Sequence, residues 1–322
     1  MCFQTTPLGG GEGTAFNFGI ATRGTVSLIG SAQIRGLNAS WEADMYIGSP
    51  GPDPVLWMDG RAVTDGDVVV AYADANLQES VSHRSSIGGE SMPNRDDPEA
   101  GIWDHLHLGG FPVVFPEAST TDFEAYAKNV VDKDTPTDGG TFTNIRILAD
   151  TDPTFSGGPR FEGVIFIETP NKVTISGGAE IAAIIVTQDA GSGATESNYI
   201  HLTGGVSVLG VDTLPDEPQF EGLHDEIGTF IVAPGFEVLL DGSFGTVSGA
   251  MAAEQFSFTG DAGGTLRGPL INWGSGQLGL DGNSSVIIDR SLGTDMLPGF
   301  DYGDEEYYRL KVLKASYREP TE

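Results

Sequence analysis

Three short apolar runs stand close together in residues 160–187, RFEGVIFIETPNKVTISGGAEIAAIIVT. They cover 164–167, 173–175 and 181–186, and only Thr, Pro, Gly, Asn and single charges separate them. The intervals are too short for helices. The runs are continuous rather than alternating, which is typical of strands buried in parallel sheets. This stretch therefore predicts short parallel strands joined by tight turns.

The same spacing of apolar and small residues recurs along the chain. The pattern begins with an apolar residue and a Gly two positions later. Counted from that Gly, a second apolar residue follows after four positions and a Gly or Ala after six. The pattern occurs at 28–36, 155–163, 175–183, 202–210 and, with Ile288 in the last small position, 280–288. Glycine is abundant, with 46 residues, but five matches in one chain indicate a structural repeat.

A longer repeat lies over this pattern. GVIFIETPNKVTISG (163–177) resembles GTFIVAPGFEVLLDG (228–242), and GPLINWGSGQLGLDG (268–282) keeps the same length between its bounding glycines. The copies begin 65 and 40 residues apart, near three and two multiples of a unit of about 20 residues, which is in the range of solenoids.

The repeats predict an all-β fold, a right-handed parallel β-helix (solenoid) in which each coil pairs with the next. We expect corners at Gly163, Gly177, Gly228, Gly242, Gly268 and Gly282, and also at Pro170, Pro234 and Pro269. Ile175, Val238 and Leu280 are expected to point inward. The competing fold is a β-sandwich, which favours hairpin dipeptides and alternating strands.

The chain divides into five predicted segments. They are a flexible leader (1–14), N-terminal coils (15–95), an insertion (96–145), the main coils (146–295) and a C-terminal segment that covers an end or side of the stack (296–322). In the insertion, TTDFEAYAKNVV predicts one amphipathic α-helix with a capping box formed by Thr121 and Glu124. FPVVFP, before it, is expected to lie along the flank of the solenoid.

Charge and cysteine content exclude several kinds of partner. Asp and Glu outnumber Lys and Arg 46 to 16, a formal charge of −30, which disfavours nucleic acid. The acidic surface serves either solvation or the binding of calcium, so weakly bound calcium is the one cofactor left open. Cys2 is the sole cysteine, so neither an intrachain disulfide nor a thiolate zinc site is expected. No apolar run is long enough to span a membrane.

Candidate chemical groups are scattered through the sequence. WDHLHLGG places His105 and His107 on one side of a strand, but two imidazoles need a third metal ligand. Further histidines, acidic turns and basic residues are His83, His201 and His224; Asp150, Asp152, Asp212, Asp216, Glu217, Asp225 and Glu226; and Arg160, Lys172, Arg267 and Arg290. Their spacing defines no constellation, so we predict no catalytic, cofactor-binding or metal-binding residues.

Two segments carry a resemblance to a known family. FEGVIFIETPNKVTISGGAEIAAIIVT, continuing through GTFIVAPGFEVLLDG to GPLINW, and NFGIATRGTVSLIGSAQIRG near the start resemble the solenoid domain of bacterial pilus-assembly proteins of the PilX type. Bactofilins are similar more distantly. The resemblance covers most of residues 15–292. It implies a non-catalytic domain displayed outside the cytoplasmic membrane on an N-terminal pilin-like helix, with no active-site residues to carry over.

The expected function is that of an extracytoplasmic structural or adhesive solenoid at the bacterial cell surface. Its expected partners are pilus or cell-envelope components and surface polysaccharide, with no nucleic acid. One alternative is a carbohydrate-active β-helix enzyme, which needs carboxylates and a Lys or Arg on adjacent coils. Another is an ice- or mineral-binding face, for which Thr174, Thr203 and Thr259 are too few and too unevenly placed.

Overall fold

The protein is mostly β-structure. The computed structural model describes residues 13–51, 54–73, 77, 80–91, 104–291 and 297–301. Within these described residues, one short α-helix, Thr121–Glu124, accompanies six 3-10 helices, at Ala15–Asn17, Ser40–Ala43, Ala194–Glu196, Val211–Thr213, Pro218–Phe220 and Leu223–Asp225. The described strands are Gly13–Thr14, Ile20–Thr22, Val26–Leu28, Gln33–Gly36, Met45–Ile47, Leu56–Met58, Val63–Thr64, Val68–Val70, Ser86–Ile87, Glu90–Ser91, Leu106–Leu108, Val113–Val114, Glu117–Ala118, Asn129–Val131, Thr141–Ile147, Thr154–Phe155, Arg160–Ile167, Lys172–Ile175, Glu180–Thr187, Tyr199–Thr203, Ser207–Val208, Thr229–Ser248, Ala250–Arg267, Leu270–Asn272, Leu278–Leu280, Ser285–Ile288 and Phe300–Asp301.

Most of these strands, 22 of 27, belong to three parallel ladders, which we call faces A, B and C. In spatial order, face A contains 141–143, 160–162, 180–182, 207–208, 243–248, 263–267, 285–288, 33–36, 63–64 and 86–87. Face B contains 129–131, 145–147, 165–167, 185–187, 231–233, 251–253, 270–272, 20–22, 45–47, 68–70 and 106–108. Face C contains 154–155, 172–175, 199–203, 237–241, 255–259, 278–280, 26–28 and 56–58, and a bridge from Met58 to Val81 extends it. The chain visits B, C and A in turn, an arrangement that fits a β-solenoid.

The coils do not stack in the order of the sequence. The strand 270–272 pairs with 20–22, 278–280 with 26–28, and 285–288 with 33–36. The last coil of the C-terminal half therefore meets the first coil of the N-terminal half, and we call this contact the seam. The first coil of the chain, which contains the strand 20–22, lies in the middle of the stack. The next coils extend from there to one end, at the strand 106–108. The chain then returns to the opposite end, where the strand 129–131 starts the second series of coils.

The core is a column of inward side chains between the three faces. Ile175, Val238 and Leu280 are all at most 1% exposed, which confirms their predicted inward orientation. At the end of the stack near residue 142, three rings close the column, with Phe155 meeting Phe161 at 5.0 Å and Phe142 at 4.9 Å between ring centroids. Packing of this kind stabilises the fold through area removed from water.

The predicted corner glycines all have positive φ. Gly177, Gly228, Gly268 and Gly282 flank strands. Gly163 and Gly242 differ from the prediction because they lie inside the continuous strands Arg160–Ile167 and Thr229–Ser248. At Gly163, a Cβ atom would approach Oδ1 of Asn144 to 2.0 Å, so the strand bends between two faces where only glycine fits.

The insertion differs from its prediction. The helix is a single turn, Thr121–Glu124, its N-cap is Thr120 without a side-chain hydrogen bond, and the predicted capping box is absent from it. Asn129–Val131 is instead a strand that pairs with 145–147, because tertiary pairing overrides weak helical propensity. The strand Thr141–Ile147 continues this ladder, so the stack begins within the segment 96–145.

A second apolar layer covers the outside of face B. Residues 109–128, which we call the return segment, lead from the strand 106–108 back to 129–131. The two strands are ten strand spacings apart, about 48 Å. Phe115 lies 6.2 Å from the ring of Tyr46, the Nε1 atom of Trp273 donates to the carbonyl of Pro116, and Glu124 pairs with Arg146. The predicted flank position of FPVVFP is confirmed.

Both ends of the described chain lie on this covered flank. Gly13–Thr14 pairs with 113–114, and Phe300–Asp301 pairs with 117–118. The rings of Phe16 and Phe300 meet edge to face at 5.2 Å. Residues 297–301 lie along this side of the stack, and the rest of the predicted covering segment 296–322 lies outside the described residues, as does most of the predicted leader.

A buried carboxylate fastens the seam. Glu42 is 1% exposed, and its Oε2 atom accepts from the N–H groups of Asn38 at 2.6 Å and Ala39 at 3.2 Å. Its Oε1 atom accepts from Nδ2 of Asn38 at 3.1 Å and from the N–H of Arg290 at 3.2 Å. The guanidinium of Arg290 in turn donates to the carbonyls of Asn17 and Phe16. Residues from both sides of the seam therefore share one polar cluster.

Candidate functional site

Face C presents two outward columns of residues, and eight of their sixteen members are Ser or Thr. Strand pairing aligns the first column as Thr154, Thr174, His201, Leu239, Ser257, Gly279, Ser27 and Trp57. The second, two residues further along each strand, contains Ser156, Ser176, Thr203, Asp241, Thr259, Asp281, Ile29 and Asp59. All except Ser27 remain partly or largely exposed. Nine strand positions make this face about 38 Å long.

Aromatic and charged groups interrupt the hydroxyl columns. Lys172 lies 6.0 Å from the ring centroid of Tyr199, and Ser257 donates to Glu237 at 2.8 Å. Trp57 and Ile29 are 42% and 39% exposed beside the seam. Rings, hydroxyls and carboxylates together offer stacking surfaces, donors and acceptors, whereas a regular lattice would need an unbroken ladder of one side chain.

The predicted histidine pair meets one carboxylate. Oδ1 of Asp67 lies 2.8 Å from Nδ1 of His105, and Oδ2 of Asp67 lies 3.3 Å from Nε2 of His107. Burial raises the pKa of nearby Asp44; the N–H of Asp67 opposes this shift and the charge of Asp67 adds to it. Within the described ranges, no three His, Cys, Asp or Glu side chains are arranged to hold a metal ion. The pair fixes the last face-B strand to its neighbour.

The other histidines are separate from this pair. His201 points outward from face C, and His83 lies in a turn. His224 lies on the flank in residues 209–228, the segment between the strands Ser207–Val208 and Thr229–Ser248, which we call the excursion. The structure does not bring them together with His105 and His107 in any described metal cluster.

The predicted acidic clusters act mainly as turn groups. Asp150 and Asp152 have positive φ, and Oδ1 of Asp152 accepts from the N–H of Lys172 at 2.8 Å. Glu217 accepts from Nε2 of Gln219 at 2.7 Å. Burial raises the pKa of Glu226, and the charges of Asp122 and Asp225 add to this shift. Asp212 and Asp216 are exposed on the same excursion.

The basic residues occupy different faces and are engaged in structural contacts. Arg160 on face A pairs with Glu162 at 2.8 Å and with Glu180 of the next coil. Arg267 lies 3.5 Å from Asp289, and Arg290 belongs to the seam cluster. Of the four basic residues named in the sequence analysis, only Lys172 lies on face C, two residues before Thr174 of the first column.

Sequence reasoning missed Asn144. This residue is 4% exposed and has a φ of 47°, which is uncommon outside glycine. Its Oδ1 atom accepts from the N–H of Val164 at 3.0 Å, and its Nδ2 atom donates to the carbonyl of Gln219 at 2.8 Å. Asn144 thereby fastens the excursion 209–228 to the first coils and shapes a cleft there. Strand pairing places Asn144 at a register shift opposite Gly163, whereas the sequence pattern assigned residues 96–145 to an insertion, so no sequence signal marked it.

Comparison of the chain with protein-family models, with curated protein sequences and with solved structures returned no match. Among the described helices, none has the length and apolar character needed to cross a lipid bilayer.

Proposed function

We propose that this chain is a non-catalytic, extracytoplasmic structural and adhesive protein, a right-handed parallel β-solenoid with a short inserted helix and a C-terminal covering segment, at the surface of a bacterial cell. It associates with a pilus or another cell-envelope assembly and binds through face C. The observation that carries the proposal is the long, mixed surface of hydroxyls, rings and carboxylates on face C, which includes strands on both sides of the seam.

The cover on the outside of face B supports this assignment. Residues 13–14 and 300–301 pair with the return segment on that flank. In the part of the chain that the structure describes, the outward columns of face C carry no such layer, so face C is available for a contact. The resemblance to pilus-assembly proteins supports association with an envelope assembly.

The distribution of charged groups favours binding over catalysis. Enzymes that cleave or eliminate at sugars need a base and carboxylates converging on one bond. Here Arg160, Arg267 and Arg290 each contact acidic or carbonyl groups that hold neighbouring segments together. Interruption of the hydroxyl columns by Leu239 and Asp241 also disfavours an ice- or mineral-binding face.

The test measures the adhesion of variants that each carry one added negative charge on a single face. Cell-envelope fragments and purified surface polysaccharide are immobilised, and binding is measured for the wild type, Thr174→Glu and Ser257→Glu. Each variant puts a carboxylate on face C, and we expect affinity to fall about tenfold. Thr246→Glu, which adds the same charge to exposed face A, is the matched control. Equal loss in all variants, or no loss on face C, would refute the assignment of the face.

A further inference from the structure

A cleft of 560 Å³ opens on the flank where the return segment, the first coils and the excursion 209–228 meet. Its lining includes Tyr126, Lys128, Asn129, Asn144, Gln219 and Glu221. This volume is within the range of small-molecule sites, about 300 to 1,000 Å³. The cleft is distinct from face C, and Asn144 and Gln219, whose hydrogen bonds are described above, are part of its lining.

The walls of the cleft are held in place by polar side chains that already form hydrogen bonds within the protein. Both amide atoms of Asn144 are used, one on Val164 and one on Gln219. Nδ2 of Asn129 donates to the carbonyl of Thr143. The strained φ of Asn144 shows that this connection between the excursion and the coil is maintained against a local conformational cost.

One aromatic ring forms part of the lining. Tyr126 packs against the apolar cluster outside face B and is half-buried. Its hydroxyl lies against Gly222, where a Cβ atom would approach it to 2.8 Å, and the φ of 85° at this position favours glycine. The ring supplies a flat surface with a polar edge, which suits a partner with one apolar face and hydroxyl groups.

Two charged side chains remain available at the rim. In the part of the chain that the structure describes, neither the ammonium of Lys128 nor the carboxylate of Glu221 forms an ion pair. Lys128 is a pure donor and Glu221 a pure acceptor. Glu217 adds a second carboxylate beside Gln219, so the site has a net negative charge that disfavours an anionic ligand.

We propose that this cleft binds a neutral hexopyranose unit of an oligosaccharide. The pyranose packs on Tyr126, one hydroxyl accepts from Lys128, and another donates to Glu221. Sugar hydroxyls both donate and accept, which matches this unpaired donor and acceptor. The site is independent of face C and adds a glycan-binding position to the proposed adhesive function.

The test is calorimetric titration of the whole chain with cellotetraose, maltotetraose and mannotetraose, with tetragalacturonate as the acidic probe. We expect saturable binding, one ligand per chain, by at least one neutral probe and weaker binding of tetragalacturonate. Lys128→Ala and Glu221→Gln should each weaken the neutral probe about fivefold, the effect of one hydrogen bond. Lys133→Ala, an exposed lysine outside the cleft, removes the same charge and should leave binding unchanged.

Four results would overturn the cleft assignment. They are no saturable binding of any neutral probe, unchanged affinity in Lys128→Ala and Glu221→Gln, an equal loss in Lys133→Ala, and tighter binding of tetragalacturonate. Ser257→Glu separates the two proposals, because it should reduce adhesion through face C and leave titration of the cleft unaltered. Failure of envelope adhesion with intact titration would refute face C alone.

Discussion

Replacing Glu42 by Gln tests how strongly the seam depends on one buried carboxylate. Glu42 accepts four N–H hydrogen bonds, two on each oxygen. Glutamine replaces one of these oxygens with an NH2 group, which cannot accept a hydrogen bond. In either orientation of the amide, two of the four N–H groups therefore lose their acceptor. Hydrogen bonds to charged groups contribute about 1.5 to 3 kcal/mol each. Loss of two should therefore lower the free energy of unfolding by about 3 kcal/mol or more at pH 7.

The pH dependence gives a second readout of the same contact. Burial alone would raise the pKa of Glu42, but hydrogen bonds from Asn38, Ala39 and Arg290 outweigh it and lower the pKa below its ordinary 4.5. A lowered folded-state pKa contributes stability that is present above the unfolded pKa and lost as pH falls through the folded pKa. The difference between the wild type and Glu42→Gln should therefore shrink as pH falls below 4.5.

Urea denaturation, followed by circular dichroism at several pH values, measures both effects. Glu196→Gln, an exposed carboxylate in a 3-10 helix, removes one charge without touching the seam and should change stability by less than about 0.5 kcal/mol. If Glu42→Gln matches the wild type at pH 7, or if the difference persists unchanged in acid, the reasoning about the buried carboxylate is wrong.

Three further changes test the packing and the charge. A Cβ atom at Gly24 would lie 1.9 Å from the carbonyl oxygen of Gly276 across the seam, so Gly24→Ala should cost more than about 2 kcal/mol, whereas Gly279→Ala, with no atom within 4 Å, should be neutral or slightly stabilising in the same urea assay. Phe256 is fully buried, and Phe256→Ala should lower the free energy of unfolding by about 3 to 5 kcal/mol; a loss under 1 kcal/mol would contradict a packed core. The melting temperature should rise with sodium chloride, because the charge of −30 is screened, and change little with millimolar calcium at fixed ionic strength; a rise of many degrees with calcium would show that the acidic turns are calcium sites.

The sequence predicted the repeating unit well because each coil carries its own local signals. Glycines at corners and continuous apolar runs set the turns and the buried strands, and Ile175 and Val238 point inward as predicted. These features depend on residues within one coil and its neighbour. A pattern of about 20 residues is therefore sufficient to predict them.

The order of the coils could not be predicted in this way. A repeat indicates that coils stack, but every coil presents the same backbone edge, so the pattern is equally compatible with sequential stacking. What selects the seam is long-range: Gly24 meets Gly276, and Glu42 binds the N–H of Arg290. The outward columns of face C depend on that order, since Gly279 becomes the neighbour of Ser27.

The helix in the insertion was overpredicted for a related reason. TTDFEAYAKNVV has helical spacing, but its last residues supply the first face-B strand, and pairing with 145–147 determines their conformation. The cleft was not predicted because its residues come from three distant segments, joined through Asn144.

Disulfide trapping across the seam tests the order of the coils most directly. Ser27 and Gly279 are strand partners on face C, and paired residues of adjacent strands are about 4.8 Å apart, within disulfide range. In a Cys2→Ser background, Ser27→Cys with Gly279→Cys should form an intrachain disulfide under mild oxidation, identified by peptide mass mapping without reduction. Ser27→Cys with Thr154→Cys, at the far end of the same face, should stay reduced. A reduced first pair, or equal cross-linking of both pairs, would contradict the seam.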